Sequence, residues 1–434
     1  MAHYIKISNL GPIKNCEMAV SDFTVLTGPQ ASGKSTIAKA VYFFRTIKDD
    51  ILDLITWPNL KNPNKKPNLK SELIRHLRIK FMELFGTTFV MPENMTMEYF
   101  YEANNKRKCV RVYLEETFDG KNRNIIKFKF GSDIDDLLYE ANQYALPIGN
   151  MELSRLQLSF EKCFEDEHET FFIPAGRSTI TLLSGLLSFL FTSTSIDSWQ
   201  LRAIDYCTRK YVEFILKIRS WFSDSLSHIF DLSNAGGSSS LISAVQNHSE
   251  KVLNAKYRYV ENEERLYLMN DTKLYTKINL ASSGQQESVW IFNLLTYFLA
   301  EKKKIFLVIE EPEAHLYPSA QMHITDVLAL FFNGGANSLM ITTHSPYILG
   351  ELNNLLLCGQ IPSSKSEFAK KIIDKRAWIK AKHIGAAHVH NGTYENAIDT
   401  ESGIIKNELI DGASEVINER CDKLLDLLYG EEAE

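Results

Sequence analysis

Cysteine is scarce in this sequence, which leaves little room for disulfide or cysteine-based zinc chemistry. Only six of 434 residues are cysteine, they are widely scattered, and no two form a C-x-x-C pair. Dense cysteine frameworks are typical of small secreted domains, whereas scattered thiols are typical of reducing compartments. We therefore expect free thiols and no metal ion other than Mg²⁺.

Long apolar runs and a leader pattern are also missing. The chain starts with a strand pattern rather than a basic stretch followed by an apolar one, so we expect a cytoplasmic protein. The uncharged segment 178–196 is rich in Ser and Thr, and its apolar part is about half as long as a bilayer requires. We interpret this segment as a buried helix and expect no contact with a membrane.

Positive charge is not in excess. The formal net charge is −6, which gives no global reason to bind a polyanion. A basic stretch rich in Pro and Asn, at 61–67, is either a solvated connection or a local contact with nucleic acid or a protein partner. Nucleic acid therefore stays a possible partner.

A glycine-rich stretch near the start carries the first functional motif. The apolar segment ending at Leu26 leads into G-x-x-x-x-G-K-S, and a helical pattern follows. In this context successive amides converge on an oxyanion at the positive end of a helix. We expect Lys34 to reach the β- and γ-phosphates of ATP and Ser35 to ligate Mg²⁺. The predicted nucleotide-binding residues of this loop are Gly28, Gln30, Ala31, Ser32, Gly33, Lys34, Ser35 and Thr36.

Two apolar strand patterns later in the chain end in polar residues. The first, at 305–309, is followed by Glu310 and Glu311, and the second, at 338–343, is followed by His344. Glu310 is predicted to hold Mg²⁺ through a water, and Glu311 to deprotonate the attacking water. His344 is predicted to hydrogen-bond the γ-phosphate. The alternatives are a charged helix cap for the acids and a structural role for the histidine.

A second loop of small residues opens an apolar helix just before the acidic strand. A helix N-terminus attracts anions, although the same residues also form an ordinary helix cap. Its place beside the other motifs favours a nucleotide site. The predicted binding residues of this loop are Ser282, Ser283, Gly284 and Gln285.

This order of motifs resembles the ABC-type ATPase heads of the SMC, RecF and OLD group. The residues I-E-E-P-E-A-H-L at 309–316 and T-H-S-P at 343–346 are particularly similar to the OLD-like and PtuA-like ATPases of bacterial anti-phage systems. The resemblance covers roughly residues 1–45 and 275–350. It implies an ATPase that uses ATP and Mg²⁺.

The resemblance also implies how two subunits meet. It makes 282–285 the signature loop, which caps ATP held by the opposite subunit of a homodimer or higher homo-oligomer. It makes 312–316 the dimer-contact loop and His344 the switch histidine, and we assign Arg177 and Ser178 to the Q-loop region. The sequence departs from the family pattern at Gln30 (often Asn), Ser283 (glycine), Glu310 (usually Asp) and Tyr317 (Asp in many transporter-type heads).

The predicted fold is the α/β fold of an ABC-ATPase head, a P-loop NTPase with a mixed central sheet, an antiparallel β lobe and an inserted helical lobe. We divide the chain into four parts. Residues 1–150 form the first part of the head with the phosphate loop and a β-hairpin, 151–255 a mainly helical inserted lobe, 256–350 the second part of the head, and 351–434 a C-terminal α/β extension.

Nuclease motifs are absent from the residues after His344. We find no D-x-D of a Toprim nuclease there and no HNH pattern. His388 and His390 are two residues apart, and we place them on opposite faces of a strand, which argues against a shared metal. We therefore expect any nuclease or toxin effector to be a separate chain.

Two classes of function fit these patterns. One is an ATP-hydrolysing head dimer that senses or grips nucleic acid and controls the effector. The other is an ATP-binding scaffold or inhibitor with negligible turnover. A RecF-like role in DNA repair is a third possibility.

Overall fold

The computed structural model describes most of the chain. The described residues are 3–56, 68–117, 123–143, 149–182, 204–223, 239–406 and 418–424. The basic stretch 61–67 lies outside them, and so does the uncharged segment 178–196 beyond residue 182. No helix among the described residues is long and apolar enough to cross a bilayer.

Fourteen strands and twelve α-helices are defined within the described ranges. The strands are β1 His3–Leu10, β2 Ile13–Val20, β3 Phe23–Thr27, β4 Thr96–Phe100, β5 Cys109–Thr117, β6 Arg123–Phe130, β7 Glu169–Ile173, β8 Ala255–Val260, β9 Glu263–Leu268, β10 Asp271–Lys277, β11 Ile305–Glu310, β12 Ser338–Thr343, β13 Ile384–His390 and β14 Thr393–Asn396. The helices are α1 Lys34–Arg45, α2 Ile47–Thr56, α3 Leu69–Phe85, α4 Ser132–Ala141, α5 Asn150–Cys163, α6 Arg177–Leu182, α7 Tyr206–Ile218, α8 Ser239–Leu253, α9 Ser283–Ala300, α10 Pro318–Asn333, α11 Pro346–Gln360 and α12 Ser366–Ala369.

A six-stranded sheet with the order β14-β13-β3-β12-β11-β7 forms the centre of the fold. Its strands are parallel except β14, which pairs antiparallel with β13 at the edge. Every residue of β3, β11 and β12 is buried, as expected for parallel strands covered on both faces. Parallel strands end at one edge of a sheet, so the motifs that follow these three strands meet there.

Two antiparallel sheets complete the β structure. One has the order β2-β1-β4-β5-β6 and contains the predicted hairpin of β5 and β6. The other has the order β10-β9-β8, and its strands precede the signature loop in the sequence. The predicted α/β fold with a mixed central sheet and an antiparallel β lobe is therefore confirmed.

The helix after the phosphate loop differs from its prediction. The sequence pattern predicts one helix to about residue 55, whereas α1 ends at Arg45 and α2 starts at Ile47. The Thr46 hydroxyl donates to the carbonyl oxygen of Tyr42 and accepts from Lys80 of α3 at 2.7 Å. A threonine bonded back to the preceding turn bends a helix, which explains the break.

The last part of the chain contributes to the central sheet. Strand β13 lies parallel to β3, with Ala387 opposite Leu26 and His388 opposite Thr27. The residues predicted as a C-terminal extension thus supply a strand next to the phosphate loop. Strand β7, within the range predicted for the helical lobe, also belongs to this sheet. The division of the chain into four parts stays a prediction.

A buried ion pair joins α1 to the start of β1 and to the segment before β7. Arg45 donates to Asp166 at 2.7 Å and to Nδ1 of His3 at 3.0 Å. Burial, together with the charge of Arg45, lowers the pKa of His3 to about 3, so its ring is neutral and accepts. Burial raises the pKa of Asp166, but Arg45, His168, Lys48 and His3 together outweigh burial and hold this pKa below its ordinary value.

We predict that Arg45→Ala lowers the free energy of unfolding by about 3–5 kcal/mol at neutral pH, because Asp166 keeps a buried, unpaired charge. The loss shrinks as the pH falls below about 4, where the carboxyl of the unfolded chain is protonated. Urea unfolding measures both effects. Lys6→Ala is the control: it breaks the exposed pair with Glu17 and should change stability by less than about 1 kcal/mol. Equal effects of the two variants would contradict the prediction.

Candidate nucleotide-binding site

The phosphate loop, residues 28–36, joins the end of β3 to the start of α1. Its two glycines have left-handed φ angles, 138° at Gly28 and 108° at Gly33. A Cβ on Gly28 would lie 2.2 Å from the carbonyl oxygen of Val389, and one on Gly33 would lie 2.3 Å from Cδ1 of Ile13. Glycine is therefore required at both positions, because β13 and the β1–β2 hairpin press on the loop from either side.

Lys34 lies inside this loop. Its side chain is 6% exposed, and Nζ donates to the carbonyl oxygens of Gly28 and Pro29, each at 2.7 Å. Burial lowers the pKa of Lys34, and the charges of Glu311 and Glu313 oppose this shift. The charges of Glu311 and Glu313 therefore act on Lys34. A phosphate bound here would add further negative charge that stabilises the ammonium.

The remaining residues of the phosphate loop differ in exposure. Gln30, Ala31 and Ser35 are exposed, and Thr36 is half-buried. The Ser32 hydroxyl is buried and makes no hydrogen bond to any described residue. The exposed Ser35 hydroxyl can therefore reach a ligand without moving the backbone.

Glu310 is the last residue of β11 and is 6% exposed. Its Oε2 accepts from the backbone N–H of Ala175 at 3.3 Å. Its Oε1 is buried and has no hydrogen-bond partner in the described part of the chain. A buried carboxylate oxygen without a partner is costly, so this oxygen indicates a position for a cation or an ordered water.

Glu311 follows with a left-handed backbone, φ 44°, and its N–H donates to the carbonyl oxygen of Thr342 at 2.9 Å. Its Oε1 lies 3.6 Å from Nδ1 of His344, and both side chains are 37% exposed. The predicted base and the predicted γ-phosphate ligand are therefore neighbours. Both are open to solution, where a substrate and a water can reach them.

Glu313 has a role that the sequence did not reveal. Its Oε1 accepts from the Thr343 hydroxyl at 2.6 Å and from the backbone N–H of His344 at 3.1 Å, and the residue is 5% exposed. It thereby fixes the backbone that carries the switch histidine. The third acid of the E-E-P-E stretch was the one indication of this role in the sequence. Its partner Thr343 lies thirty residues later in the chain, so no local pattern connects the two.

Arg177, assigned to the Q-loop region, is fully buried and connects three parts of the site. Its guanidinium donates to the carbonyl oxygens of Pro174, Glu310 and Glu311 at 2.7–2.8 Å. Its Nε donates to the carbonyl oxygen of Glu287 in α9 and forms an ion pair with the same residue's carboxylate at 3.2 Å. The neighbouring N–H of Ser178 also donates to Glu287.

The signature loop caps the start of α9. Ser282 Oγ accepts from the N–H of Gln285, and Oε1 of Gln285 accepts from the N–H of Ser282, which is a capping box. Gly284 packs against the dimer-contact loop, since a Cβ there would lie 2.8 Å from the carbonyl oxygen of His315. Ser282 and Ser283 are exposed. None of the hydrogen bonds that the described residues make with this loop comes from the phosphate loop, so the two loops remain separate within one chain.

The residues at this edge fit a magnesium ion. Mg²⁺ prefers oxygen ligands and retains several waters. The unpartnered Oε1 of Glu310 and the exposed hydroxyl of Ser35 are such ligands. These two residues would hold the ion.

The prediction for His388 and His390 was wrong. Residues two apart on a strand share a face, and the ring centroids of these histidines are 5.4 Å apart. Burial and the charges of His390 and Lys34 lower the pKa of His388. This strand therefore presents histidine next to the phosphate loop, which the sequence did not indicate because the partner of β13 was unknown.

A phosphate loop, a strand-end acid pair and a strand-end histidine on one edge of a parallel sheet define a P-loop nucleoside triphosphatase. The sequence model of the AAA_15 family, described as an AAA ATPase domain, matches residues 1–172 and 188–349. The chain belongs to this family of ATPase domains. The predicted α/β fold of an ABC-ATPase head is confirmed by the mixed central sheet, the antiparallel sheets and the flanking helices.

Solved structures give further, weaker similarities. An SMC head bound to the C-terminal winged-helix domain of ScpA has 12% identity and a TM-score of 0.40, with 92% of this chain and 98% of that chain covered. An SMC head from Pyrococcus furiosus bound to the C-terminal domain of ScpA has 11% identity and a TM-score of 0.38, with 96% and 99% covered. The SMC head from Thermotoga maritima has 10% identity and a TM-score of 0.35, with 91% and 97% covered. A search of curated proteins finds no match.

We predict that Lys34→Ala abolishes tight binding of ATP, because the phosphates lose their main side-chain counterion. Isothermal calorimetry with Mg²⁺ present measures the change. Lys39→Ala is the matched control, since Lys39 lies on the same helix but pairs with Asp205 at 2.7 Å. Equal ATP affinity in Lys34→Ala and the unchanged protein would disprove the assignment of the phosphate loop.

Proposed function

We propose that this protein binds and hydrolyses ATP with Mg²⁺, and that Glu311 is the general base. The placement of Glu311 carries the proposal. A left-handed backbone is uncommon for a residue with a side chain and is held here by the hydrogen bond to Thr342. The result is a carboxylate beside His344, at the sheet edge that also carries the phosphate loop.

The other residues have complementary roles in this proposal. The amides of residues 28–36 and the ammonium of Lys34 bind the phosphates. Ser35 and Glu310 would hold Mg²⁺, whose positive charge would offset that of the phosphates. Glu311 accepts a proton from the attacking water, and His344 donates a hydrogen bond to the γ-phosphate.

Glu311→Gln should retain ATP binding and reduce the rate of hydrolysis by about 10²–10⁴-fold, because the amide keeps the shape and loses the base. Single-turnover hydrolysis and calorimetry separate the two properties. Glu301→Gln, an exposed glutamate at the end of α9, should leave both unchanged. If Glu311→Gln hydrolyses ATP at the normal rate, the general base is another acid. If the unchanged protein shows no hydrolysis at all, the alternative of an ATP-binding scaffold with negligible turnover is supported.

The same site supports a proposal about assembly. Ser282 and Ser283 are exposed at the N-terminus of an 18-residue helix. Among the described residues, the hydrogen bonds of Ser282 stay within its own loop and the first turn of this helix. Tyr317, which follows the dimer-contact loop, is 78% exposed, and Leu280, which precedes the signature loop, is 74% exposed. We propose that two heads associate around ATP, with the signature loop of one head contacting the γ-phosphate held by the other.

Ser283→Glu tests this composite site. A carboxylate in the first turn of α9 is compatible with the helix dipole, so the monomer should fold and bind ATP normally. In the dimer the carboxylate would face the other subunit's γ-phosphate, and ATP-dependent association and hydrolysis should each fall by about 10²-fold. Ultracentrifugation and phosphate release measure them. Gly284 is a poorer choice, because any side chain there meets His315 of its own chain.

Mixing Ser283→Glu with Lys34→Ala provides the decisive control for that prediction. A mixed dimer contains one site that pairs an intact phosphate loop with an intact signature loop, so partial hydrolysis should return. If mixed dimers form and remain inactive, the signature loop is only a helix cap or each chain acts alone.

The resemblance to OLD-like and PtuA-like ATPases supports a wider proposal. In it, ATP-driven head association in the cytoplasm controls a separate effector, a nuclease or toxin, in defence against phage, with nucleic acid as a possible trigger. Co-purification of the full chain with the products of neighbouring genes tests it. Recovery of repair proteins would favour the RecF-like alternative.

A further inference from the structure

Three helices meet at a group of histidine and acidic side chains away from the nucleotide site. Helix α8 packs against α10, and α10 packs against α11. At this junction lie His248 of α8, His323 and Asp326 of α10, and Glu351 of α11. We call these four residues the three-helix cluster.

The three potential ligand atoms of this cluster converge. Nδ1 of His248 lies 3.6 Å from Oδ2 of Asp326, and Nδ1 of His323 lies 4.0 Å from the same oxygen. One ligand atom from each residue lies within 4.8 Å of the others. The side chains of His248 and Asp326 are only 16% and 17% exposed. Three ligand atoms therefore surround one small, mostly shielded volume.

Unsatisfied polar atoms point to a ligand in this volume. Nδ1 of His248 and Nδ1 of His323 are buried and make no hydrogen bond with any residue that the structure describes. Leaving a buried polar atom without a partner destabilises the folded protein. Two such nitrogens beside the same carboxylate oxygen are unusual in a folded protein and call for a bound ion or water.

The distances and the donor types select the ion. Two ligands bound about 2.0–2.2 Å from a tetrahedral zinc ion are about 3.3–3.6 Å apart. The pair of His248 and Asp326 already has this separation, and His323 needs to approach by a few tenths of an ångström. Imidazole nitrogen with one carboxylate favours Zn²⁺ or Co²⁺ over Mg²⁺ or Ca²⁺, which prefer oxygen.

Charge supports the same choice. Glu351 is close enough to Asp326 for the two carboxylates to interact directly. Lys251 is the cation acting on both histidines and on Asp326. Arg376 and Asp374 also act on His248, with opposite signs. The two neighbouring carboxylates therefore favour a dication, whose binding would relieve the repulsion between them.

We propose that His248, His323 and Asp326 bind one Zn²⁺ or a similar transition-metal ion, with Glu351 orienting Asp326. The expectation of no metal other than Mg²⁺ was based on cysteine spacing, which gives no information on histidines brought together by three helices. The bound ion joins α8 to α10. Helix α10 follows the dimer-contact loop and is bonded to it, because Gln321 donates to the carbonyl oxygen of Leu316. Gln321 also accepts from the hydroxyl of Ser345, the residue after the switch histidine.

A second histidine group makes the natural comparison. His388, His390 and Glu395 also have converging ligand atoms. Glu395 is exposed, and the positive charge of Lys34 acts on His388. An ammonium acts on each group, Lys34 here and Lys251 at the three-helix cluster. The acid differs, because Asp326 is mostly buried and has Glu351 beside it, whereas Glu395 is open to solution. This group is therefore the weaker candidate and serves as the matched control.

The test uses the full chain without a histidine tag, stripped of metal with EDTA and then titrated with Zn²⁺ alone. We expect one ion per chain by elemental analysis and a higher melting temperature with the ion. His248→Gln combined with Asp326→Asn should weaken binding at least about 100-fold, because one donor remains of three. His388→Gln combined with His390→Gln should retain normal binding. Loss of the ion in the second variant but not in the first would overturn the proposal.

The visible absorption of bound Co²⁺ provides a test that does not depend on variants. Co²⁺ bound to the unchanged protein should give the intense visible absorption of a tetrahedral site, which excess Mg²⁺ and ATP should leave unchanged. Absence of stoichiometric Zn²⁺ binding, or an octahedral Co²⁺ spectrum, would overturn the proposal even if the first variant failed to fold. Neither reading involves ATP hydrolysis, so the metal site and the proposed function can fail separately.

Discussion

The buried guanidinium of Arg177 is the constraint on which the nucleotide site depends. A fully desolvated cation is tolerated only when its donors are used and a counterion is near, and Arg177 satisfies this through Glu287 and three backbone carbonyls. Those partners belong to the end of β7, the end of β11 and the start of α9. Glu310 and Glu311 are therefore held as one unit with the start of α9, and displacing the acids or the helix would leave an unpaired buried charge.

A second set of contacts extends this unit to the dimer-contact loop and to the residues around His344. Glu313 holds the backbone at Thr343 and His344, while Gln321 connects Leu316 with Ser345. The bonds to Thr343, His344 and Ser345 join the segment after β11 to the end of β12 and the residues that follow it. In the proposed dimer of heads, a change at the dimer-contact loop would reach His344 through these hydrogen bonds, without any large movement of the sheet.

Local patterns in the sequence predicted much of this arrangement. The phosphate loop, the acids after β11 and His344 all follow buried strands, and parallel strands bring such residues to one edge whatever the connections between them. What failed depended on contacts between distant segments. The pairing of β13 with β3, the partners of Arg177 and the meeting of His248 with His323 are set by packing, which no local spacing encodes. The error on His388 and His390 was different, because strand periodicity alone already places them on one face.

The contact between Gly28 and Val389 has a consequence for biosynthesis. One wall of the phosphate loop is formed by a strand that the ribosome makes more than three hundred and fifty residues after the loop itself. A nascent chain therefore carries the complete loop sequence long before it has the complete loop environment, since domains fold as their last strands emerge. Nucleotide affinity becomes a property of the finished sheet, and a chain cut short before β13 would have the motif without the pocket.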